Sequence, residues 1–162
     1  MLTLHELTQT EFDDWFALST QRQVEDRAQV SGRSIQEEAK QLENMIPHLL
    51  PNGKNTVGHI FRLAWNDGER AVAFVWFGTL PGMPADSRFL FDIYVVPEAR
   101  RMGVGREVLM TMLDQLRHDG VCKIALNVLR SNKGAVSLYK QLGFIITDGG
   151  EDSHHFEMTV TI

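Results

Sequence analysis

Apolar residues in this chain fall into short runs of strand length, separated by longer stretches in which they recur every three or four positions. LTLHEL reads as a first strand. Thr8 followed by Glu11 has the spacing of a capping box, and Phe12, Trp15, Phe16 and Leu18 then mark a helix predicted from Thr10 to about Gln23. Ser34 followed by Glu37 opens a second helix, which runs to about Leu49 before Pro51 ends it. After the turn PNGKN, the stretches VGHIFRLAW and RAVAFVWFGTL form two strands joined across NDGE, a strong hairpin signal. The loop PGMPADS delivers the chain to FLFDIYVV, a further apolar run that breaks at Pro97.

Val108, Leu109, Met112, Leu113 and Leu116 then line one face of a helix ending near Gly120. KIALNVL is a strand, NKGAVSLYKQL is a short helix closed by Gly143, and FIITDG and HHFEMTVTI are antiparallel strands around a GGED turn. The order β-α-α-β-β-β-α-β-α-β-β predicts a mixed α/β (α+β) fold. No repeat, low-complexity tract or linker interrupts it, so residues 1–162 are expected to form a single domain.

Residues 89–109, FLFDIYVVPEARRMGVGREVL, carry the chemical signal. A strand leads through arginines and two spaced glycines into a helix, whose first-turn amides lack internal partners and carry partial positive charge. Gly103 and Gly105 let backbone approach an anion, and Arg100, Arg101 and Arg106 surround it with charge. A phosphate-bearing ligand is the implied occupant, although a solvated turn into a helix has the same outline. Arg106-Glu107 follows Gly105 where a P-loop needs Lys-Ser/Thr, and Val108 stands where a dinucleotide fingerprint needs its third glycine.

Net charge is −5, against general nucleic-acid binding, so the basic cluster at 100–106 stands out on an acidic background that suits a cationic partner. No apolar run is long enough to span a bilayer, and MLTLHELTQTEFDDW lacks the features of a secretion signal, which predicts a cytoplasmic protein. Cys122 is the only cysteine, in the apolar stretch VCKIALNV, and is expected to be a buried structural thiol. The six histidines show no metal-ligand spacing, and His154 and His155 are adjacent on a strand and point to opposite faces.

Arg-x-x-Gly-x-Gly after a strand, a second strand, then Asn132 and Tyr139 in LRSNKGAVSLYKQLGF, together resemble the GNAT superfamily of acetyl-CoA-dependent N-acetyltransferases. The resemblance implies a central, mixed, mostly antiparallel sheet of about six to seven strands flanked by about four helices, with splayed central strands. It implies acetyl-CoA as co-substrate and no metal. The loop Arg101, Met102, Gly103, Val104, Gly105 and Arg106 would hold the pyrophosphate, with Arg100 beside it. Ile93, Tyr94 and Val95 would pair their backbone with the pantetheine and acetyl group, because this strand splays from Ile124–Val128.

By the same resemblance Asn132 hydrogen-bonds the cofactor, while its residue type equally suits a helix N-cap. Tyr139 matches the family tyrosine that protonates the departing thiolate, and it equally suits the covering of the sheet beside Leu138 and Leu142. Seven residues, about two helical turns, separate it from Asn132, so both can face one cleft. Some relatives carry a glutamate base where Asn127 stands here, which leaves Asp92 as the nearest carboxylate, as base, as charge partner or as a structural group. Strict strand alternation places Leu90, Asp92, Tyr94 and Val96 on one face and Phe91, Ile93 and Val95 on the other. Glu25, Asp26, Glu37 and Glu38 lie where relatives build acceptor pockets, or else are solvated helix faces. The implied acceptor is a small-molecule or protein amine, with no nucleic acid or membrane partner and with a homodimer allowed. A non-catalytic acetyl-CoA sensor or scaffold is the alternative.

Overall fold

A computed structural model of the chain describes residues 1–150 and 153–162, so Glu151 and Asp152 of the expected GGED turn lie outside the described residues. Among the described residues the strand-sized runs become β1 (Leu2–His5), β2 (Ile60–Asn66), β3 (Arg70–Gly78), β4 (Ser87–Val95), β5 (Lys123–Leu129), β6 (Ile145–Asp148) and β7 (His155–Thr161). The periodic stretches become α1 (Gln9–Ser31), α2 (Ile35–Leu49), α3 (Val104–His118) and α4 (Lys133–Gln141). All seven strands join one sheet in the order β1-β2-β3-β4-β5-β7-β6, antiparallel throughout except for the parallel pair β4–β5. The mixed, mostly antiparallel sheet with four helices is the architecture expected from the sequence.

Both faces of the sheet are covered, which is why β3 is apolar almost without break. Val72, Val75 and Phe77 pack with Leu109, Met112 and Leu116 of α3 and Val136 and Tyr139 of α4. On the opposite face Phe74 and Trp76 pack with Phe12 of α1 and Phe61 of β2. Asp67 and Gly68 take positive φ, 50° and 75°, and turn the chain tightly between β2 and β3. No described helix is long and apolar enough to cross a membrane.

Three expectations change. Helix α1 keeps its Thr8–Glu11 capping box but runs eight residues beyond Gln23, to Ser31, where Gly32 stops it at φ +74°. Its second half is polar, so no apolar stripe announced it; Val24 alone of that half is fully buried. Cys122 is exposed rather than buried, since it precedes the first residue of β5 and its amide bonds to Asp86.

The third change concerns β4. Phe77 is opposite Leu90 and Trp76 is opposite Asp92, so Phe91 is an extra residue, a β-bulge. The bulge shifts the phase of the strand. Leu90 therefore joins the α3/α4 face with Ile93, Val95 and Val96, while Phe91 stands on the α1/α2 face beside Asp92 and Tyr94.

Candidate active site

The bulge coincides with the point where the sheet opens. Strands β4 and β5 pair only from Ser87–Lys123 to Leu90–Leu126. Beyond it β4 stays with β3 as far as Val95–Ala73, and β5 follows β7 as far as Leu129–His155. A wedge opens between them. Val96 donates its N–H to Val72 of β3 at 2.9 Å, so alternation turns the amides of Ile93 and Val95 toward the wedge. The Val95 carbonyl on that side accepts from Arg100 Nε at 2.9 Å, which ties the strand end to the following loop.

That loop leads to a helix end without a cap. Thr8, Ser34 and Asn132 each accept a backbone N–H from their helices, but α3 starts at Gly103, which has no side chain to do so. Gly103 sits at φ +80° and Arg101 at +59°, left-handed conformations that bend the loop under the helix. The first-turn amides of α3 thus have no side-chain cap.

A groove of about 1870 Å³ runs from this loop through the wedge to the face under α1 and α2. Arg100, Arg101, Gly103, Val104, Gly105 and Arg106 line it at one end, and Ile93, Tyr94, Val95 and Asn132 line its middle. The Met102 side chain is not among its walls and is 73% exposed. Asn132 caps α4, its Oδ1 accepting from Ala135 N–H at 3.2 Å.

Tyr139 and Asp92 approach the wedge from opposite faces. Tyr139 is buried against Phe144, with ring centroids 5.7 Å apart, and lines the groove. Burial, and secondarily the charge of Asp92, push its phenol far above the ordinary value, so it stays protonated. Asp92 binds Arg22 of α1 at 2.6 Å. Burial raises its carboxyl above the ordinary range despite the opposing pull of Arg22, Ser19 and the Ile93 amide.

Arg22 was not foreseen from sequence. Its guanidinium also lies 3.8 Å from the centre of the Tyr94 ring, with Arg100 at 5.4 Å from the same ring. Asp26, one turn further along α1, is raised by burial and then by the charges of Asp92 and Glu25. His155 of β7 is lowered by burial and then by His154, and Asp26 opposes that shift. Glu25, Asp26, Asn127 and His155 all line the groove. Glu37 caps α2, and Glu38 is buried with Arg33 at 3.8 Å, so Glu38 is not part of a solvated face.

The model of the acetyltransferase (GNAT) family matches residues 6–144. The chain belongs to the GNAT family. It is therefore an acyltransferase by class. Among GNAT relatives, an uncharacterised N-acetyltransferase of Bacillus subtilis, YdgE, is 26% identical over 147 residues, covering 90% of this chain and 93% of that one. The structure of YycN, a putative acetyltransferase also from Bacillus subtilis, superposes with a TM-score of 0.84 at 22% identity, covering 94% of this chain and 98% of that one. The PaiA N-acetyltransferase of Thermoplasma acidophilum, solved in complex with coenzyme A, gives 0.73 at 17% identity over 100% of this chain and 99% of that one. These two likenesses establish the GNAT fold.

Proposed function

We propose that residues 1–162 act as one N-acetyltransferase domain, which transfers the acetyl group of acetyl-CoA to a primary amine by direct attack. The observation that carries this reading is the uncapped N-terminus of α3 next to the wedge between β4 and β5. The residues present fit the donor. Gly103, Val104, Gly105 and Arg106 would bind its pyrophosphate through first-turn amides, with Arg101 and the exposed Arg106 side chain adding charge. The wedge-facing amides of Ile93 and Val95 would pair with its pantetheine arm, and Asn132 would border it beside α4.

Acetyl-CoA supplies a thioester, whose carbonyl carbon is the electrophile. The Val95 amide would donate to the thioester oxygen as negative charge develops there. The amine nitrogen forms the new C–N bond, the C–S bond breaks, and Tyr139 gives its proton to the departing sulfur. Its buried, protonated phenol supports that role. The incoming ammonium must first lose a proton, and the raised carboxyls of Asp92 and Asp26 suit them as acceptors, directly or through water. Holding amine and thioester together in one groove would supply much of the rate.

A non-catalytic acetyl-CoA-binding module is the second reading, favoured by the Arg22–Asp92 ion pair and by Asn127 in the place of a carboxylate. Amine-dependent release of free CoA thiol separates the two: turnover with any primary amine supports the enzyme, and acetyl-CoA binding without turnover across a broad panel supports the module.

A further inference from the structure

The bulge in β4 does more than open the sheet: it places an aromatic ring beside a carboxylate on one face. Phe91 and Asp92 would alternate in a regular strand, and here they stand together on the α1/α2 side. Trp76, opposite Asp92, stacks on Phe91 with centroids 4.3 Å apart and planes at 13°. Phe89 meets Phe91 edge-on at 5.0 Å. This aromatic strip is held rigidly. The Trp76 indole N–H donates to His59 Nδ1 at 3.1 Å, and Gly78 leaves the space that the His59 ring fills, since a β-carbon there would overlap it.

From α2, Met45, which is 40% exposed, and Ile46 line the same groove. Phe89 and Phe91 are only half-buried and line the groove. Apolar side chains of β4 and α2 thus line this part of the groove, with His48 of α2 beside them, and the β4 stretch begins one residue from Asp92 and leads away from the arginine end. Beyond Asp92, α1 contributes Glu25 and Asp26.

We propose that the acceptor is a primary amine carrying an aromatic or bulky apolar group. Its ammonium sits by Asp26 and Asp92, and its apolar body lies on Phe91 and Phe89 beneath Met45 and Ile46. This rests on the acetyltransferase reading above. The physical basis is the order of surfaces along the groove. A polyamine long enough to reach from Asp92 to Phe89 would press a second ammonium on uncharged aromatic and apolar side chains, where cation–π attraction only partly offsets its lost hydration. An aralkylamine instead buries apolar surface there.

The test compares kcat/KM for 2-phenylethylamine, ethylamine and spermidine in the wild-type chain, Phe89→Ser and Met45→Ser, with calorimetric titration of 2-phenylethylamine into the CoA-saturated proteins. The expected result is a preference for 2-phenylethylamine over both other amines of about tenfold or more, shrinking toward unity in each variant. Met45 is exposed, so its variant keeps the test meaningful if Phe89→Ser fails to fold. Equal or better use of ethylamine or spermidine overturns the inference and leaves the acetyltransferase reading standing, and so does an unchanged preference in Met45→Ser. If none of the three amines is acetylated, the broad amine panel decides the acetyltransferase reading and calorimetry decides this inference. Binding of 2-phenylethylamine that Met45→Ser weakens then supports the apolar subsite, and absence of binding overturns it.

Discussion

Arg22 donates to Asp92 at 2.6 Å while its guanidinium lies 3.8 Å above the ring of Tyr94. One α1 side chain thereby holds two neighbours on the splayed strand, a carboxylate by charge and an aromatic face by cation–π attraction. Removing the cation leaves a largely buried carboxylate without its partner, since Asp92 is only 15% exposed. Arg22→Met should therefore destabilise the fold by about 1–3 kcal/mol, and adding Asp92→Asn should restore part of that loss. Urea unfolding of the two variants checks it. An unchanged midpoint in Arg22→Met would mean that the pair contributes nothing to holding α1 on the sheet.

Gly103 and Gly32 make a matched pair for testing the proposed anion loop. Both sit at positive φ, +80° and +74°, each next to a helix end, and a β-carbon at either meets nothing within 4 Å. Alanine at each should thus cost a similar strain of about 1–2 kcal/mol. Only Gly103→Ala should weaken CoA binding as well, because only Gly103 lies at the α3 amides. Calorimetry with CoA on both variants is the check, and equal affinities would sink the loop assignment.

The strand, loop and helix where the pyrophosphate is proposed to bind were legible as elements in the sequence because they are built from contiguous residues. Strand, arginines, spaced glycines and helix follow one another, and each has a local backbone reason. The half under α1 and α2 was not. Phe91 and Asp92 share a face only because of a bulge, and a bulge is a pairing property of β3 and β4 together with no single-strand signature. Arg22 falls inside the predicted helix, but Asp92 and Tyr94 lie far along the chain on another element, and no local pattern encodes contacts of that range. The placement of β7 between β5 and β6, which brings His155 toward Asp26, is likewise set by tertiary pairing.

His59 should make stability depend on pH. Its folded pKa is lowered from 6.5, by burial first and by Arg88 second, so the folded state binds fewer protons than the unfolded chain. Stability should rise with pH through the window between the lowered folded value and about 6.5, and fall on acidification through it. His59→Gln keeps an acceptor for the Trp76 N–H and loses the titration. Thermal midpoints from about pH 7.5 down to about pH 5 should thus fall less steeply in the variant. Parallel pH profiles would contradict the assignment.

The most direct measurement is amine-dependent thiol release from acetyl-CoA, run on the wild-type chain and on Tyr139→Phe with CoA affinity measured alongside. In the wild type, release should be matched by acetylated amine. In the variant, kcat should fall about 100-fold or more, with CoA affinity nearly unchanged. Acetyl-CoA binding without thiol release in the wild type, or a variant that turns over like the wild type, would contradict the proposed reaction.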